Sequence, residues 1–142
     1  MKPYLYLSFI FVLLACASKN VTVNQTEPQI ESLITDSKFQ PSSAADYTVN
    51  STELKDSTLT INVTYKGGCN GYHFQLFNNG NMMKSLPPKT SVFLIHQAEK
   101  ENCVKLRTVS LKFNISTLKK MNPRGIVMVK LDGQESYMEL KR

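Results

Sequence analysis

The chain lacks the short motifs that announce a reaction. Neither the Walker spacing nor the dinucleotide glycine fingerprint is present, which excludes the two common phosphate-cradling loops, and no Gly-x-Ser-x-Gly elbow occurs to activate a serine. Histidine is scarce at two residues and cysteine at three, so any metal site would have to use nearly all of both. No apolar run reaches the roughly 20 residues of a membrane-spanning helix. A basic stripe is missing as well. The formal net charge is +6, but the lysines and arginines are scattered, with Lys119 and Lys120 adjacent, so a solvated basic surface is expected and nucleic acid is not an expected partner.

What is present begins at Met1. Lys2 and Pro3 precede an apolar stretch from Tyr4 to Leu14, about a dozen residues of h-region, and small residues follow at Ala15, Cys16, Ala17 and Ser18. This pattern predicts export. Two cleaved endings compete, beside a third reading in which the stretch is retained as an anchor helix. Leu13, Leu14, Ala15 and Cys16 resemble a bacterial lipobox in which Cys16 is acylated and becomes the first mature residue. Ala15 and Ala17 also satisfy the small-x-small rule for ordinary cleavage after Ala17. The lipoprotein reading assigns 1–15 to the signal and anchors the mature chain to a membrane through Cys16, facing the periplasm or the cell exterior. The about 125 remaining residues suffice for one domain with a core and are too few for two.

With Cys16 given to lipid, Cys69 and Cys103 remain as an even pair in an oxidising compartment, and a disulfide between them is expected. It would close a loop of about 35 residues and stabilise the fold by roughly 3 to 4 kcal/mol on the chain-entropy model. Cys69, Cys103, His73 and His96 also supply the residue types of a Cys2His2 metal site. Their spacing argues against one, because Asn70 and Gly71 interrupt the alternation that would bring Cys69 and His73 to one face. No cofactor is expected.

Residues 16–45 are polar and suit a tether. Within them Thr26 and Gln29 form a capping-box pattern, Pro28 suits an early helical position, and Ile30, Leu33 and Ile34 share a helical face, which predicts a short helix near 27–35. From Asp46 the period changes to two. Leu59, Ile61, Val63 and Tyr65 alternate with Thr58, Thr60, Asn62 and Thr64, the signature of a half-buried strand. Further strands are expected near 47–54, 72–77, 91–97, 104–115, 126–131 and 136–140. A phase change between Leu106 and Val109 calls for a bulge near Arg107 and Thr108. Asn78, Asn79 and Gly80, and likewise Asp132 and Gly133, supply turns. The resulting fold class is all-β, an antiparallel β-sandwich of about seven strands over 46–142.

Constellations for catalysis are thin. Asp36, Asp46, Asp56 or Asp132 could join a histidine, but no activated nucleophile accompanies them. Glu53, Asp56, Glu99 and Glu101 fall in turns or strand ends rather than as paired carboxylates facing a cleft. Gly67 and Gly68 allow the backbone to bend at Cys69. Asn20, Asn24, Asn50, Asn62 and Asn114 open Asn-x-Ser/Thr sequons, and Asp56, Ser57 and Thr58 resemble a short bacterial O-glycosylation motif.

The stretch from Tyr47 to Leu118 resembles a family of small bacterial envelope lipoproteins, NigD-like in style. The resemblance is carried by Tyr47, Val49 and Asn50, by Gly67, Gly68 and Cys69, by Phe74 and Leu76, and by His96, Cys103, Phe113 and Leu118. It covers about half the chain. The family pattern has a His three residues after the first Cys; this chain has Tyr72 there and His73 beside it. The resemblance implies a β-sandwich with paired cysteines and brings no activity with it. The expected function is therefore that of a non-enzymatic envelope lipoprotein meeting an unidentified envelope protein or glycan. Its candidate recognition loops are Asn78 to Pro88, with Met82, Met83, Pro87 and Pro88, and Gln97 to Asn102. For Met82 and Met83, edge packing is the competing role. The alternatives are a metal-binding or hydrolytic periplasmic enzyme using His73 or His96, and a secreted carrier with an apolar cavity between its sheets.

Overall fold

Alternation along Thr58–Lys66 decides the architecture, because Leu59, Ile61, Val63 and Tyr65 are all buried while their neighbours are not. A computed structural model describes residues 29–41, 46–67, 71–97, 105–123 and 125–142. Its strands, in chain order, are β1 (Ile30–Ser32), β2 (Ile34–Thr35), β3 (Tyr47–Lys55), β4 (Thr58–Lys66), β5 (Phe74–Asn78), β6 (Met82–Met83), β7 (Lys89–His96), β8 (Leu106–Asn114), β9 (Val127–Leu131) and β10 (Met138–Leu140). A 3-10 turn over Ser116–Met121 precedes β9. One sheet has the order β1-β8-β4-β3 and the other β10-β9-β7-β5-β2, with β6 also paired to β7. Between them lies one core, which includes Leu59, Ile61, Tyr65, Phe74, Leu76, Phe113, Val127 and Leu131. The chain is an all-β sandwich.

Four expectations need correction. The sheets are mixed rather than antiparallel, since β1 runs parallel to β8, β2 to β5 and β7 to β9. Seven of the strands correspond to those expected, and the additions β1, β2 and β6 are two or three residues long. The bulge lies in β3 between Val49 and Ser51, not in β8. Strand β8 keeps one unbroken register with β4, and the apolar Leu106 that suggested a phase change is 75% exposed.

The fourth correction concerns 27–35. Its described residues form no helix but pass from one sheet to the other, with β1 on the edge of the first and β2 on the edge of the second. Of the three apolar residues that suggested a helical face, Leu33 alone is in the core, while Ile30 is 58% exposed. Leu33 N–H donates to Asn114 O at 3.1 Å and Asp36 N–H to Asn78 O at 3.0 Å. Sheet edges thus satisfy the backbone donors that a helix would have satisfied internally, and tertiary pairing overrides a weak local signal. The folded body therefore begins before residue 46, and the tether cannot extend to 45.

Candidate functional site

Strand β7 positions two contrasting clusters, one at each end. At its start, β5 ends on Asn78, a polar residue that the Phe74, Leu76, Asn78 alternation directs into the core and that is 0% exposed. Its side chain is fully used. Nδ2 donates to Thr90 Oγ1 at 2.9 Å and to Ser91 O at 2.8 Å, while Oδ1 accepts from Gly80 N–H at 3.0 Å. The buried Thr90 hydroxyl donates onward to Asn81 O at 2.7 Å. Gly80 has φ of +75°, a conformation that costs glycine little, and the chain turns there before β6 joins β7. One buried amide therefore fixes the β5–β7 connection from beneath.

That connection walls a cavity of about 370 Å³ on the outer side of the second sheet, and its lining includes Asn79, Asn81, Met82, Met83, Lys89 and Tyr137. Phe93 and Ser91 also line it. The volume falls within the range of small-ligand sites. Phe93 is itself packed by Phe39, whose ring also stacks on Phe77 at 4.6 Å. Over Tyr137 stand two ammonium groups, Lys89 Nζ at 4.9 Å and Lys130 Nζ at 5.6 Å from the ring centroid. Among the described residues neither lysine has a carboxylate partner, and no acid lines the cavity.

At the far end of β7, His96 is enclosed by rings. It stacks on Phe74 at 4.4 Å and meets the edge of Tyr65 at 5.0 Å, and its Nδ1 lies 2.9 Å from Asp46 Oδ2. Tyr47 closes this end from the other sheet, with its ring edge-on to Phe74 and its hydroxyl donating to Leu94 O. Burial of that phenol, with the Asp132 and Asp46 carboxylates nearby, pushes its pKa up to about 12. His96 and Asp46 thus make a histidine–carboxylate pair within an aromatic cluster.

The two histidines do not converge. Phe74 is the cross-strand partner of His96, and the carbonyl of His73 accepts from Gln97 N–H one position further out. Alternation therefore directs the exposed His73 to the opposite face of the sheet from His96. Among the described residues no group of three His, Cys, Asp or Glu side chains could hold a metal ion. The expectations for Cys16, Cys69 and Cys103, for the leader and for most of the Gln97 to Asn102 loop lie outside the described residues. No described helix is long and apolar enough to cross a membrane.

A second cleft, lined by Leu54, Asp56, Lys119, Met138, Glu139, Lys141 and Arg142, differs in its charges. Lys141 pairs with Glu139 at 3.4 Å, and Arg142 donates to Pro123 O at 2.9 Å. Two of its cations, Lys141 and Arg142, are thus already engaged by the protein.

Of the cavity lining, the sequence pointed to the Asn78 to Pro88 connection and missed Lys89 and Tyr137, together with Lys130, which stands over Tyr137, and Phe39, which packs on Phe93. The buried role of Asn78 had a signal, since an amide stood in the core phase of an otherwise apolar strand. Tyr137 had none, being a single residue in a loop.

No family model matches the chain, and no curated protein matches it either. Among solved structures it is similar to a protein of unknown function, DUF1344, from Bacteroides vulgatus, with a TM-score of 0.54 at 10% identity over 81% of this chain. A candidate toxin-related protein from Parabacteroides distasonis gives a TM-score of 0.46 at 16% identity over 80% of this chain. The chain spans 57% and 61% of the lengths of those two chains. The Bacteroides likeness is one of fold, and it agrees with the all-β architecture.

Proposed function

We propose that this is a non-enzymatic envelope lipoprotein whose β-sandwich binds its partner through the cavity at the β5–β7 connection. The carrying observation is the cavity itself. It has exposed Met82 and Met83 on its rim and a floor on β7, a central strand, and its shape is set by the hydrogen bonds of buried Asn78. A recognition loop held on a rigid strand can vary its tip without loss of the fold.

The leader pattern supports anchoring through Cys16, and the strand register supports the disulfide. Strands β4 and β8 pair in one register from Thr58 opposite Asn114 to Lys66 opposite Leu106, and Gly67 N–H then donates to Lys105 O at 2.9 Å. Two residues beyond Gly67 the sequence has Cys69, and two before Lys105 it has Cys103.

Hydrogen exchange of the mature protein, with and without an extract of its own envelope, tests the binding reading. Protection is expected at residues 79–83 and at Tyr137, and protection confined to other strands overturns it. Mass spectrometry of the same sample is expected to show an acylated Cys16 start and a Cys69–Cys103 bridge. An unmodified Ser18 start would remove the anchor, and two free thiols would remove the bridge.

A further inference from the structure

We infer that the cavity takes a carboxylate-bearing saccharide, an inference that rests on the binding reading above. The charges point to an anion. Lys89, which lines the cavity, and Lys130, which stands outside it, both lie over the ring of Tyr137 at the cavity wall; neither has a carboxylate partner among the described residues, and the lining holds no acid. Two ammonium groups over one ring make this wall positive, and an anion seated against it is attracted to both. In the second cleft, by contrast, Lys141 is already paired with Glu139.

The rest of the lining suits a sugar. Asn79 and Asn81 each carry an amide with donors and acceptors, Ser91 adds a hydroxyl, and Tyr137 and Phe93 provide aromatic carbon. A pyranose ring presents hydroxyls at its rim and C–H groups on its faces, so it needs both kinds of partner in one cavity. A purely hydrophobic ligand would take water from the side-chain donors of Asn79 and Asn81 without replacing it, and a bare inorganic anion would leave the aromatic and methionine walls unused. A uronic-acid unit uses both sets, with its carboxylate on the lysine side.

The test is calorimetric titration of the mature protein with a short oligogalacturonate, and with the same oligosaccharide methyl-esterified so that the skeleton is kept and the charge removed. The acid form is expected to bind about tenfold or more tightly than the ester. Lys89→Gln is expected to abolish that preference while leaving the thermal midpoint unchanged, and Lys130→Gln, which reaches the cavity only through Tyr137, to reduce it less. Equal binding of acid and ester overturns the inference, as does equal binding of plain acetate at the same concentration, or no binding of either saccharide. Hydrogen exchange separates this failure from that of the broader reading. Protection at 79–83 by the envelope extract without oligouronate binding sinks the saccharide alone, whereas protection elsewhere sinks both.

Discussion

The two ends of the β5–β7 pair solve the same packing problem in opposite ways. At the Phe74 and His96 end, volume is filled by rings: Phe74, Tyr65, Tyr47 and His96 meet stacked or edge-on, and Asp46 engages the imidazole. At the Asn78 and Thr90 end, space is organised by directional bonds, and a cavity remains alongside. Aromatic packing is tolerant of angle and fills space, whereas a buried amide must find each partner at a set place. The first end is built for stability and the second for a defined surface.

Removing the rings should cost most. Phe74→Ala is expected to lower unfolding free energy by about 3 to 5 kcal/mol in urea denaturation, since it empties a buried site touched by four other rings. A loss below about 1 kcal/mol would mean that this end carries little of the stability. Asn78→Ala should cost less, roughly 2 to 3 kcal/mol, by leaving Thr90 Oγ1, Ser91 O and Gly80 N–H short of a partner. Its mark would be local, with faster amide exchange through residues 79–83 before the strands exchange. Uniform exchange across the domain would contradict the assigned role of that amide.

The aromatic end also carries an alkaline sensitivity. Tyr47 has its folded pKa raised to about 12 from 10.0, so the fold favours the neutral phenol. Its contribution is complete below the unfolded value and is lost as pH rises through the folded one. Wild-type stability is therefore expected to fall between about pH 10 and 12 by something on the order of 1 kcal/mol, after screening at a half-buried group, and Tyr47→Phe should flatten that fall. Parallel profiles for the two proteins would show that the phenol is not the group responsible. The smallest effect is expected at the cavity rim. Met83 is 55% exposed, and Met83→Ser should change the denaturation midpoint by no more than about 0.5 kcal/mol equivalent.

The ease of reading these parts from sequence differed for a physical reason. Strand β4 is exposed to water on one side and core on the other for nine residues, so composition records its geometry directly. Residues 30–35 bury Leu33 alone among their three apolar side chains, and the rest of their pattern answers to sheet edges contributed by β8 and β5. Local periodicity has no access to such partners. The cavity is harder still. Asn79, Lys89 and Tyr137 come from separate segments and carry no shared period, so only the parallel pairing of β7 with β9 and the turn after β9 bring them together. The connection from Asn78 to Pro88 stood out as a recognition loop because turn residues and methionines sit where strands should. The lysines opposite it did not stand out, being two among many.

The crossing of residues 30–35 between the sheets has a mechanical consequence. A pull applied to the chain from the N-terminal side of Ile30 runs along β1 and then β2, each lying parallel to its neighbour. Load of that direction strains the inter-strand hydrogen bonds in shear, several together, rather than opening them one at a time as in a zipper. Leu33, set into the core between the two short strands, adds a side chain that must be dragged out before either can slide. The segment works as a two-point strain relief, so tension at that end is shared by both sheets before it reaches the cavity.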